Sequence, residues 1–122
     1  MYDQSREVEP MTAKHQPYLG KCTDVKFDIK FVPQILSGKK TSTMRLKGLG
    51  TRRDYFKVED RTYVFHCVES APLWCFMDIG MYKQEGFSSS EELFSELKAF
   101  YPDITLDTMV FCHCFHEEAD HV

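Results

Sequence analysis

Gly38-Lys39-Lys40-Thr41-Ser42-Thr43-Met44-Arg45 places a glycine, two lysines, two threonines, a serine and an arginine within eight residues. Just upstream lies a short apolar run, Phe31-Val32-Pro33-Gln34-Ile35-Leu36. It reads as a short helix with Pro33 near its first turn and Gly38 as a left-handed C-cap. Thr41, Thr43 and Met44 suit an extended chain, so a strand is expected to leave the glycine. Alternation would point Thr41, Thr43 and Arg45 one way and Ser42 and Met44 the other. Lys40, at the turn, can fold back over either face. A solvated basic turn is the plainer reading of the same residues, because lysines are common on surfaces.

Outward from this motif, Val25 to Phe31 alternates apolar and polar, the pattern of a half-buried strand with Val25, Phe27, Ile29 and Phe31 inward. Leu46 to Lys57 reads as a basic loop containing Gly48 and Gly50. It matches neither GxGxxG nor GxxxxGK[ST], so a nucleotide P-loop is not expected. Arg52 and Arg53 are candidate phosphate contacts in it. Arg61 to Val68 is rich in aromatic and β-branched residues and predicts a strand. Ala71 to Ile79 predicts another, entered through Pro72, with Trp74 expected in the core. Ser88-Ser89-Ser90-Glu91-Glu92 opens a capped helix. Leu93, Phe94, Leu97 and Phe100 lie on one face of it, and Pro102 stops it. Thr108 to Phe115 is the closing strand. The order predicts a small α+β domain on a curled, mostly antiparallel sheet.

The chain of 122 residues has the length of one domain. No run approaches the roughly 20 apolar residues of a membrane helix, and no apolar signal core follows Met1. Five cysteines are an odd number without disulfide-scaffold density. A reduced, cytoplasmic or nuclear setting is expected. The net charge of −4 argues against a generic nucleic-acid binder. From Lys39 to Arg61, however, eight basic and three acidic residues give +5, leaving −9 for the rest. That asymmetry suits a local anionic ligand, and equally a soluble charged loop. Residues 1–21 and 117–122 read as polar tails around a domain at 22–116.

Cys112, Cys114 and His116 would share one strand face, with Cys67 as a conceivable fourth metal ligand. They lack knuckle spacing, and buried free cysteines behave as small hydrophobes. No metal and no cofactor is expected. No cysteine has a context that would lower its pKa, and no GxSxG marks a serine nucleophile.

The GKKTSTMR motif after a Pro-containing apolar helix resembles the ASCH domain, a relative of the PUA domain. The resemblance spans about Phe27 to Phe115. It includes the Arg61–Phe65 strand, the Glu85-Gly86-Phe87 turn before the capped helix, and the last strand. Glu59-Asp60 stands where the family often has Gly-Asp. Thr43 stands where many members carry an acid, which looks more like small bacterial amidohydrolases acting on acetylated cytidine. The resemblance implies a PUA-like barrel of five or six strands with two helices. It also implies RNA or a modified nucleoside as partner, held beside Gly38, Lys39, Thr41, Arg45, Arg52 and Arg53. The amidohydrolase resemblance implies Thr43 as nucleophile, Lys40 as its base and Glu85 as acid/base, an alternative to a binding-only module. A threonine hydroxyl does need such a base, and cations beside a part-buried lysine would depress its pKa.

Overall fold

A computed structural model describes residues 19–118. Most of both expected tails therefore lies outside the described residues. The architecture is α+β and PUA-like: one curled antiparallel sheet with helices packed on it. Its strands are β1 (Ser42–Arg45), β2 (Tyr55–Val58), β3 (Arg61–Pro72) and β4 (Met109–Glu117), in the spatial order β1-β4-β3-β2. The helices are α1 (Val32–Ser37), α2 (Leu73–Asp78) and α3 (Ser90–Phe100). Among the described residues the sheet thus has four strands where five or six were expected, and there are three α-helices where two were expected.

Two of the differences have local causes. Val25–Phe31 forms no ladder. The Asp28 side chain accepts from Lys30 N at 3.1 Å and caps a 3-10 turn at Ile29–Phe31. Val25 and Phe31 still pack inward, but Ile29 is 84% exposed. Ala71–Ile79 is not a strand either. β3 runs on to Pro72, and the following residues form α2. A first helical turn leaves its N–H groups without intrahelical partners. Here Leu73 N and Trp74 N donate to Thr108 O and Leu106 O, both at 2.9 Å. Leu73 and Phe76 face inward at helical spacing, which leaves Trp74 45% exposed rather than in the core.

The expected basic loop is also shorter than its reading, because Tyr55–Val58 pairs with β3 through a tight Glu59-Asp60 turn. Glu59 takes a left-handed φ of 57° there. The short helix α1 is as expected, with Gly38 at φ 84° as its C-cap. The capping box of α3 is also present, with Ser89 Oγ accepting from Glu92 N and Glu92 accepting from Ser88 N.

The sheet carries apolar residues on both faces. Phe56, Phe65 and Phe115 pack together with ring centroids 5.1–5.2 Å from Phe56, under Ile35 of α1. On the other face Met44, Val110 and Cys112 meet Leu73 of α2 and Leu93 and Leu97 of α3. A bulge between Phe65 and Cys67 shifts the β3–β4 register.

Leu97 is 5% exposed in the second cluster, whereas Phe100, expected on the same face, is 50% exposed. Leu97→Ala is expected to cost roughly 2–5 kcal/mol. An unchanged melting temperature in a thermal unfolding experiment would reject this packing.

Candidate functional site

β1 is an edge strand, paired on one side with β4. Its other edge is covered by the loop that ends at Gly86, as Gln84 O accepts from Thr41 N at 2.7 Å and from Ser42 N at 3.1 Å. Covering a free edge in this way blocks pairing with another chain. It also delivers Glu85 to the start of β1, across a sequence separation of about forty residues.

Lys40 and Glu85 are 4% and 3% exposed. Lys40 Nζ donates to Glu85 O at 3.2 Å and lies 3.4 Å from Glu85 Oε1. Ser42 Oγ donates to the other carboxylate oxygen, Oε2. The Lys40 ammonium also sits 5.0 Å from the centre of the Phe31 ring. Burial pulls the Lys40 pKa below its usual value; Glu85 opposes that shift and Arg45 adds to it. Lys39, expected among the ligand contacts, is exposed and does not line the cavity beside Lys40.

Thr43 and Arg45 share the strand face expected for them. Arg45 Nε donates to Thr43 Oγ1 at 3.0 Å, and Nη2 donates to Lys26 O at 2.7 Å. The guanidinium lies 5.3 Å from the Phe27 ring centre. Burial lowers its pKa too. Lys40, Thr43, Arg45 and Glu85 line one cavity of about 210 Å³, walled by Phe27, Phe31, Phe87 and Tyr101. Among the described residues the hydrogen bonds of Lys40 Nζ go to Glu85; none joins it to Thr43 Oγ1.

The remaining expected ligand contacts disperse. Gly38 is the helix cap and does not line the cavity. Thr41 works through its backbone, to Gln84 O and from Phe115 N. Arg52 lines a separate, open depression with Gly48, Gly50 and Phe111. Arg53 lines neither space. Its φ of 83° places its N–H on Phe65 O at 2.8 Å.

Two residues of the site have no role in the sequence reading. Ser42 was placed on the face opposite Thr43, yet Glu85 approaches along the strand edge and meets it. His113 is 0% exposed. Leu49 N donates to its Nε2 at 2.9 Å, so Nδ1 carries the proton and donates to Thr43 O at 3.0 Å. Burial lowers its pKa and keeps this neutral tautomer. His113 thereby ties the glycine loop to the strand that carries Thr43.

No family model and no curated protein matches the sequence. Solved structures do match in fold. An ASCH protein variant from Zymomonas mobilis aligns at TM-score 0.61 and 13% identity, over 83% of this chain and 73% of that one. An ASCH domain from Lactobacillus crispatus aligns at 0.55 and 12%, over 80% and 78%. A protein from Enterococcus faecalis aligns at 0.53 and 16%, over 97% and 91%. The fold is ASCH-type.

Glu85→Ala leaves a buried ammonium without its partner and is expected to cost about 3–5 kcal/mol at neutral pH. The loss should shrink as pH rises. A lysine with a depressed folded pKa makes the unfolded state bind more protons, so stability climbs until the unfolded pKa near 10.4 is passed. Urea unfolding at a series of pH values measures this, and a pH-independent loss would refute the pairing.

Proposed function

We propose that the cavity at the β1 edge binds one nucleoside-sized ligand. The observation that carries this reading is the buried Lys40–Glu85 pair facing that cavity. Perturbed, buried titratable groups in a cleft mark functional sites. The cavity combines aromatic walls with converging charged groups, Lys40, Arg45 and Glu85 among them, that can fix a ligand's orientation. Phe27, Phe31, Phe87 and Tyr101 supply surfaces against which a base can pack. Arg45 supplies a cation toward a carbonyl or phosphate. An RNA strand is a carrier for such a nucleoside, but the exposed Arg52 lies on the other depression. The ASCH-type fold fits the reading without specifying it.

A second reading, hydrolysis of an acyl amide on that ligand, is favoured by Thr43. Its Oγ1 accepts from Arg45, which leaves its own proton to be donated. A proton passed from Lys40 to Glu85 gives a neutral amine and a carboxylic acid, so the pair no longer holds two separate charges. Neutral Lys40, swung toward Thr43, then takes the hydroxyl proton as Oγ1 attacks the acyl carbon. Glu85 protonates the departing amine, and the ammonium–carboxylate pair is restored. In the second half, the Glu85 carboxylate takes a proton from the water that attacks the ester. Lys40 returns its proton to Thr43. The sum is amide plus water giving acid plus amine.

Calorimetry with cytidine and acetylcytidine tests binding, and chromatography for released cytidine tests turnover. Thr43→Ala should abolish turnover with the fold intact, and Lys40→Ala should abolish it while also lowering the melting temperature, because it leaves the Glu85 carboxylate buried without its ammonium. The double change Arg52→Ala with Arg53→Ala should leave both binding and turnover unchanged. Because the reactive pair must hold one proton and burial depresses the Lys40 pKa, the rate should fall as pH rises through a value below the usual one of about 10.4. Binding without cytidine release removes the hydrolase reading, and absence of both removes the proposal.

A further inference from the structure

Away from the cavity, His66 on β3 and His116 on β4 bring their Nδ1 atoms to 2.9 Å. The contact arises from the β3–β4 bulge. Val64 pairs with His116 and Phe65 with Phe115, after which the register jumps to Cys67 with Cys114. His66 is the residue left over, and its ring turns across the ladder onto His116, with centroids 5.0 Å apart. Both rings are on the exposed face.

We propose that His66 and His116 form a two-histidine chelate for a divalent transition metal that prefers right-angle ligand geometry, Ni(II) or Cu(II). Metal–imidazole bonds are about 2.0–2.1 Å. Two such bonds at a right angle separate the nitrogens by about 2.9 Å, and at a tetrahedral angle by about 3.4 Å. In the metal-free pair the 2.9 Å is the length of the hydrogen bond itself, and either span is reached by a small movement of the two rings. Tetragonal nitrogen and oxygen sites favour Cu(II) or Ni(II), and imidazole suits both. In the metal-free pair one Nδ1 donates its proton to the other. Chelation needs both lone pairs, so the donor ring moves its proton to Nε2. For His116, that atom is 3.9 Å from Glu118 Oε1. A carboxylate beside the outer imidazole nitrogen orients a ligating histidine and raises its basicity.

Among the described residues no group of three or more histidine, cysteine or acidic side chains is arranged around a metal position. The other coordination positions therefore fall to water. His66 also borders the open depression of Gly48, Arg52 and Phe111, which leaves room for them. This pairing departs from the sequence expectation, in which His116 was grouped with Cys112 and Cys114.

The test is calorimetric titration of the full chain with nickel chloride, repeated on His66→Ala, His116→Ala and the double variant. Wild type should take up one nickel per chain. Each single variant should weaken binding at least about tenfold, because one imidazole remains where two chelated. Zinc chloride, titrated in parallel, should bind more weakly than nickel. Circular dichroism should show unchanged folding, since both rings are exposed. Competing donors are the five cysteines and His15 and His121, which lie outside the described residues. Nickel retained at wild-type affinity by the double variant belongs to them and overturns the proposal, as does absence of binding to wild type.

Discussion

The buried contact between Lys40 and Glu85 is the constraint on which the site depends. Moving an ammonium and a carboxylate out of water costs several kcal/mol per ion, and their attraction offsets this only with good geometry and further hydrogen bonds. The fold supplies both. Gly38 in its left-handed conformation ends α1 and turns the chain so that Lys40 N donates to Gln34 O at 3.0 Å. The facing loop approaches through Gly86 at φ 94°. That φ strains any residue with a Cβ, which would also meet the end of the Gln34 side chain, so glycine suits the approach. Gln84 O then fixes two amides of the β1 region while Ser42 and Lys40 bind the two carboxylate oxygens of its neighbour, Glu85. Edge protection and charge pairing are thus one structural event.

Thr43 is held from the other side of the strand. Its carbonyl accepts from His113, its hydroxyl accepts from Arg45, and Arg45 is braced on Lys26 O. His113 spends both ring nitrogens on backbone groups, which leaves it no proton to exchange with a ligand. It is therefore a fixed strut between the Leu49 loop and β1, while Lys40 and Glu85 pair with each other. Two buried titratable groups in contact with the same strand are given different tasks by their partners.

What was legible in the sequence follows from interaction range. The α1 cap at Gly38 and the α3 box at Ser89 are local signals, settled within four residues, and the structure has both. β3 and β4 carry enough β-branched and aromatic residues to be read alone. Val25–Phe31 alternates as a strand should, but the alternation says nothing of a ladder partner, and Asp28 turns the chain first. Ala71–Ile79 is an apolar run that fits a strand or a helix equally; distant carbonyls at Leu106 and Thr108 receive its first amides and decide for helix. In the site, Lys40, Thr43, Arg45 and Glu85 were legible because the motif resemblance named them. Ser42 was hidden by the correct alternation, since Glu85 comes in along the strand edge where both faces are within reach. His113 was hidden because its two partners, at positions 43 and 49, lie far from it in sequence.

The linear charge asymmetry meets the same limit. The +5 between Lys39 and Arg61 is a count along the chain, and folding disperses it. Lys40 is neutralised internally by Glu85. Arg45 is committed to the cavity wall, and Arg52 faces the other depression. Arg61 reaches Leu36 O at 2.8 Å and Glu117 at 3.7 Å, beyond the hairpin turn. A continuous phosphate track needs cations at regular spacing on one surface, because neutralised phosphates set the affinity and its salt dependence. These side chains point to separate places and form no such track. On the reading proposed above, the dispersal of these four cations fits one small enclosed ligand better than a polyanion's backbone. Its affinity should come from the aromatic walls and from Arg45, and depend little on salt.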